Sequence, residues 1–147
     1  MQKIPWKTPF SNVTYLVCER FESNGDEYLE IELVEHHVVH DKKIIEAMQP
    51  PVKGAKPVLR TPQSQSWTVT FDVAVAFKGH SESYYHDVGA DGGYDGRTFT
   101  VGESEWIKKI NEQGTLAFMR PNCVHWVILT DHLIIEVVSP EPPLIET

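Results

Sequence analysis

The run Trp67-Thr-Val-Thr-Phe-Asp-Val-Ala-Val-Ala-Phe77 limits what this chain can fold into more than any other segment. Trp67, Val69, Phe71, Val73, Val75 and Phe77 fall on one side of an extended backbone, and Thr68, Thr70, Asp72, Ala74 and Ala76 on the other. Successive side chains of a strand point to opposite faces, so large apolar residues set against small or polar ones describe a half-buried strand. The alternation predicts one strand over Trp67–Phe77, central in its sheet.

The same period recurs along the chain. Asn12 to Phe21 is a β-rich run closed by Glu22-Ser23-Asn24-Gly25-Asp26, a hairpin turn signal. From Tyr28 to His40, Leu29, Ile31 and Leu33 oppose Glu30 and Glu32. Arg97–Val101, Thr115–Met119, Val124–Thr130 and Leu133–Val138 read as further strands, with turns at Arg120-Pro121-Asn122 and Thr130-Asp131-His132. Lys43–Met48 fits a short strand or a turn of helix, and Glu103–Ile110 a short helix with Trp106, Ile107 and Ile110 at helical spacing. Residues 50–66 carry the breakers Pro50, Pro51, Gly54, Pro57 and Pro62 and read as an irregular edge. The tail from Pro140 to Pro143 ends regular structure. The pattern predicts an all-β sandwich or barrel with at most one short helix.

One domain is expected over residues 1–147, with 1–27 as a covering strand or arm. No run approaches the roughly 20 apolar residues of a spanning helix, so no membrane partner is expected. Met1-Gln-Lys-Ile-Pro-Trp6-Lys lacks the apolar core of a secretory signal, which makes the cytoplasm the default compartment. With 21 acidic against 13 basic residues and no basic stripe, nucleic acid is not an expected partner. Cys18 and Cys123 have neither metal-knuckle nor disulfide-framework spacing and read as buried free thiols. Without a secretory signal, the sequon at Asn12-Val13-Thr14 carries little.

Gly114-Thr-Leu-Ala-Phe-Met-Arg-Pro121-Asn-Cys-Val-His125-Trp126, followed by Leu133-Ile-Ile-Glu-Val-Val-Ser-Pro140, resembles the second conserved motif of the cupins. That motif is a Gly, an apolar strand, a Pro-containing turn, a His soon after it and a further strand. Asn122-Cys123 replaces the family's small residue plus Gly, and Gly102 falls where cupins turn the chain upstream. The resemblance spans Trp67 to Pro140 and implies a jelly-roll barrel (double-stranded β-helix). The family's first motif supplies His-x-His and Glu as metal ligands; here those positions hold Arg60-Thr-Pro-Gln63-Ser-Gln65-Ser66. Only His125 therefore carries over as a ligand-position residue, and which cofactor, if any, the chain takes stays open.

The resemblance implies that His125 faces into the barrel, which turns Trp126 outward. Cys123, on the same face as His125, and His80 are then pocket residues. In the extended segment His80-Ser-Glu-Ser-Tyr84-Tyr85-His86, His80 and His86 share a face, so His125, His86 and His80 are the candidate metal ligands. His36, His37 and His40 read as surface. Asp87, Asp91 and Asp95 in the Gly-rich loop are spaced by four, which does not fit a calcium loop. No nucleophile elbow, phosphate loop, dinucleotide fingerprint or zinc-protease helix occurs.

The expected function is that of a small-molecule enzyme, a lyase, isomerase or epimerase, or a metal-dependent oxygenase. His125 would be the base or a metal ligand, and His86 or Tyr85 the acid. The alternative is a non-catalytic domain that binds or senses a small ligand. Because Val124–Thr130 and Leu133–Val138 are apolar on both faces, a cover is required, either the amino-terminal segment through Trp6 and Phe10 or a second subunit in a twofold dimer.

Overall fold

Alternation builds the first sheet as expected. A computed structural model describes residues 2–47, 56–81, 96–114 and 120–147. Strand β2 (Leu16–Ser23) and β3 (Leu29–Glu35) form an antiparallel hairpin. Its turn bends at Gly25, with φ 88°, and Glu27, with φ 62°, while the Asp26 N–H donates to Asn24 Oδ1 at 3.0 Å. Leu29, Ile31 and Leu33 are fully buried, and Glu30 and Glu32 on the other face grip Arg20. Strand β6 (Ser66–Phe71) pairs with β3 so that Val69 stands opposite Ile31 and Phe71 opposite Leu29. Strand β11 (Leu144–Glu146) closes this sheet in the order β11-β6-β3-β2. The tail thus resumes regular structure after its prolines, contrary to the expectation.

The long strand expected over Trp67–Phe77 is two strands in two sheets. Trp67, Val69 and Phe71 are buried as predicted, but β6 stops at Phe71. Residues Asp72–Val75 cross to the other layer, where β7 (Ala76–Ser81) begins. At this corner the Ala74 N–H donates to Glu27 O and the Val75 N–H to Val138 O at the end of β10, so both amides find partners. Ala74 enters the core at the bend, and Phe77 is left 38% exposed.

The second sheet has the order β1-β8-β9-β10-β7, all antiparallel, with β1 (Gln2–Pro5), β8 (Thr98–Gly102), β9 (Val124–Leu129) and β10 (Leu133–Ser139). A ribbon of β4 (His37–Val38) and β5 (Val58–Leu59) stands apart. Two helices occur where at most one was expected: α1 (Lys42–Glu46), capped by Asp41, and α2 (Glu105–Gln113), capped by Ser104. The expected strand at Thr115–Met119 and most of the Gly-rich segment lie outside the described residues. No helix among the described residues is long and apolar enough to cross a membrane.

The sheets pack face to face over one core of Leu29, Ile31, Leu33, Trp67, Val69 and Phe71 from one layer and Trp126, Ile128, Ile135 and Val137 from the other. The amino-terminal arm enters this core: Phe10 is fully buried against Trp67, and Trp6 meets Trp126 edge-on at 4.9 Å between ring centroids. Arg97 ties the arm down by donating to Val13 O at 2.6 Å, Leu129 O at 3.0 Å, Asp131 Oδ1 at 2.8 Å and Thr14 O. Trp126 therefore points inward and His125 to the opposite face of the sheet, the reverse of the orientation implied by the resemblance. On that outer face Phe99, Val127 and Ile134 form a second apolar cluster, each at most 3% exposed within one chain.

Candidate functional site

A glutamate in the middle of an apolar strand organises the outer face. In Leu133-Ile-Ile-Glu136-Val-Val138 only Glu136 is charged, and it is fully buried. Register places it opposite Val127 on β9 and Lys78 on β7, with His125 and His80 on the diagonals of the same face. Both imidazoles reach its carboxylate. His125 Nε2 lies 2.8 Å from Oε1 and His80 Nε2 2.7 Å from Oε2, with Lys78 Nζ 3.6 Å from Oε2. Sheet pairing thus delivers two imidazoles and an ammonium from the two strands that flank β10 to its one carboxyl group.

Burial alone would raise the pKa of Glu136, but the hydrogen bonds from His125 and His80, with the nearby Lys78 charge, outweigh it and hold the carboxyl at about 2. Glu136 is accordingly ionised, and a carboxylate only accepts. Each Nε2 facing it must carry a hydrogen. In neutral His125 this leaves the Nδ1 lone pair free to accept, and Ser104 Oγ stands 2.7 Å from it as the donor. Ser104 Oγ in turn accepts the Ile107 N–H at 3.2 Å, which caps α2. One directed chain of hydrogen bonds therefore runs from the start of α2 through Ser104 and His125 to Glu136. Glu103, in the left-handed region at φ 51°, turns the chain from β8 into this cap.

Trp106, at the start of α2, sets its ring edge-on to the His125 imidazole at 5.2 Å between centroids. Lys78 Nζ lies over the Trp106 ring at 4.2 Å, which fixes the cation beside the carboxylate it balances. His125 and Ser104 are buried, whereas the side chains of His80 and Lys78 are 24% and 41% exposed. The network thus has a closed end at Ser104 and His125 and an open end at His80 and Lys78. Chemically, the carboxylate can orient both imidazoles, keep the hydrogen on each Nε2 and stabilise either ring when it takes up a proton at its other nitrogen.

The structure brings together His125 and His80 of the sequence-derived candidates. Cys123 does not join them: Asn122, with φ 66°, bends the chain just before β9, and the half-exposed thiol donates to Arg120 O at 3.2 Å. Burial raises its pKa, as it does that of Cys18, so neither is an activated thiol. His86 and Tyr85 lie outside the described residues. Among the described residues no three His, Cys, Asp or Glu side chains are grouped to hold a metal ion, and the Nε2 atoms of His80 and His125 both face Glu136. His36, His37 and His40 lie at and beyond the β3–β4 junction, outside this network. A cavity of about 640 Å³ lies elsewhere, beside Arg97 and Asp131, and none of the sequence-derived site residues lines it.

Sequence reasoning missed Glu136, Ser104, Lys78 and Trp106. Glu136 had a signal, a lone charge in a strand otherwise buried on both faces. Ser104 fell inside the helix expected over Glu103–Ile110 and was not singled out, because its contact with His125 depends on where α2 lies on the sheet. No family model, no curated protein and no solved structure matches the chain.

Proposed function

We propose that this protein is a small-molecule enzyme working by proton transfer, with His125 as the base and His80 as the group that exchanges protons with the ligand side. The fold on this reading is a divergent cupin-like jelly roll that has put its polar centre on the outer face of one sheet. The observation that carries the reading is the fully buried, ionised Glu136 held between two imidazoles. A purely structural strand gains nothing from such a group, since an apolar side chain of the same volume is as stabilising or more so. Perturbed ionisable groups with specific partners concentrate where proton chemistry is done. Those lyase, isomerase and epimerase reactions that begin by removing a proton from carbon fit. His86 and Tyr85 stay candidates for the acid, and a twofold dimer in the cytoplasm completes the proposal.

The test does not require the substrate to be identified first. A mixture of hydroxy acids, keto acids and sugars is incubated with the protein in D₂O, and exchange of carbon-bound hydrogen is followed by mass spectrometry. Exchange of one compound class that falls about 100-fold in His125→Gln supports the reading. Absence of exchange, together with unchanged histidine ¹⁵N resonances in every mixture, overturns it. The saturation of both His125 nitrogens favours a second reading, a non-catalytic ligand-binding domain. Shifted His80 resonances without exchange would select it. For the dimer, light scattering at micromolar concentration decides: a stable mass of 16.8 kDa excludes it.

A further inference from the structure

We propose that Ser104 is a nucleophile, and that the site transfers the acyl group of small carboxylic esters to water through an acyl-Ser104 intermediate. The inference rests on the reading of His125 as a base and adds the atom from which the base first takes its proton. Three distances carry it. Ser104 Oγ is 2.7 Å from His125 Nδ1, His125 Nε2 is 2.8 Å from Glu136 Oε1, and the second carboxylate oxygen is held by His80 at 2.7 Å. A hydroxyl, an imidazole and an acid in hydrogen-bonding series are recognised by geometry and role, whatever their order in the chain. Here the hydroxyl meets Nδ1 and the carboxylate Nε2. The two nitrogens are conjugated through the ring, so a proton gained at one is stabilised by a carboxylate at the other.

The step balances on these residues. Oγ attacks the ester carbonyl carbon, its proton passes to His125 Nδ1, and the carbonyl π pair moves onto oxygen. Collapse re-forms the carbonyl, breaks the bond to the alcohol oxygen, and the leaving alkoxide takes the proton from Nδ1. Water then adds to the acyl carbon, giving its proton to Nδ1, and Oγ leaves with that proton restored. Ester and water become acid and alcohol. Glu136 stays ionised throughout and stabilises the imidazolium.

Two further features suit the role. Ser104 Oγ accepts the Ile107 N–H; the first amides of a helix have no intrahelical acceptor, and on this proposal those of Glu105 and Trp106 serve as the donors to the oxyanion. The edge-on Trp106 ring shields the imidazole from bulk water. Ser104 is only 6% exposed, which restricts the acyl group to a small one.

The full-length protein is treated with a small alkyl fluorophosphonate and, separately, with 4-nitrophenyl acetate, and adducts are located by intact mass and peptide mapping. Ser104→Asn removes the nucleophile but keeps an oxygen that caps α2, so loss of label is not loss of fold. The expected result is a single adduct on Ser104 in the wild type, none in Ser104→Asn, and labelling about 100-fold slower in His125→Gln. A folded wild type that stays unlabelled overturns the proposal, as does an equal rate of labelling in Ser104→Asn. If label is absent but D₂O exchange persists, the nucleophile alone falls. If both are absent, the acid–base reading falls with it.

Discussion

The two faces of the β9–β10 hairpin are buried to the same degree and built from different chemistry. Inward, Trp126, Ile128, Ile135 and Val137 pack against the opposing sheet with Trp6 and Phe10, and the Trp126 indole N–H donates to Ser139 O at 3.2 Å. Outward, Val127, Ile134 and Val138 are equally shielded, but they surround His125 and Glu136. Burial on the inner face is the hydrophobic effect acting on close-packed side chains. Burial on the outer face includes an ion whose desolvation must be offset by two imidazole donors and a nearby ammonium. Equal exposure therefore conceals unequal purpose: one face holds the layers together, and the other holds a charge in a fixed place.

Substitutions should separate the two. The largest effect is expected on the inner face, where Phe71→Asp places an unpaired carboxylate between the sheets at a cost of more than about 4 kcal/mol. Soluble folded protein should be lost, and a variant that melts like the wild type would remove β6 from the core. On the outer face, Glu136→Gln should cost about 3 kcal/mol in urea unfolding, because it strands the imidazoles and Lys78 without their counter-charge. A smaller change, about 1 kcal/mol, is expected for Ser104→Ala, which loses the α2 cap, with most of it recovered in Ser104→Asn. Smallest should be Cys123→Ser, within about 0.5 kcal/mol, since the thiol touches neither face's network; a larger loss would return it to the site.

Acid sharpens the same contrast. The Glu136 carboxyl is held at about 2 in the fold against an ordinary 4.5, so between these values the unfolded chain binds the proton that the folded one refuses. Its stabilisation is complete above the ordinary value and is lost as the pH falls toward about 2. Urea midpoints measured from pH 6 downward should decline over this window in the wild type, with that component missing in Glu136→Gln. Parallel curves would mean that the carboxylate is not ionised in the fold.

Much of the layer structure was legible in alternation alone: β3, β6, β9 and β10 fall where period two puts them. What escaped was where an alternating run changes sheets. Nothing in Phe71-Asp-Val-Ala-Val75 marks the corner, because the amides freed there are satisfied by Glu27 and Val138, residues remote in sequence. Edge strand β11 escaped for a related reason, and β1 was expected only as part of a covering strand or arm over 1–27: short segments such as Gln2–Pro5 acquire strand geometry from their partners, not from their own pattern. In the site, His125 and His80 could be named as residues but not as a pair. Their meeting at Glu136 is a property of register across three strands, and the inversion of His125 and Trp126 shows that alternation fixes which residues share a face without saying which face is inside.

The grip of Arg97 on the amino-terminal arm has a kinetic meaning. Its guanidinium joins Val13 and Thr14 to Leu129 and Asp131, and Thr98 Oγ1 holds the carbonyl of Trp6 at 2.6 Å. These contacts close very long loops, and loops of that length form late and slowly compared with a local hairpin. A nascent chain emerging from the ribosome can assemble the β2–β3 turn early, but its first strand has no ladder to join until β8 has been synthesised. Trp6 has no ring partner until Trp126 of β9 is made, so its aromatic surface is an aggregation liability until Arg97 can lock onto Leu129 and Asp131.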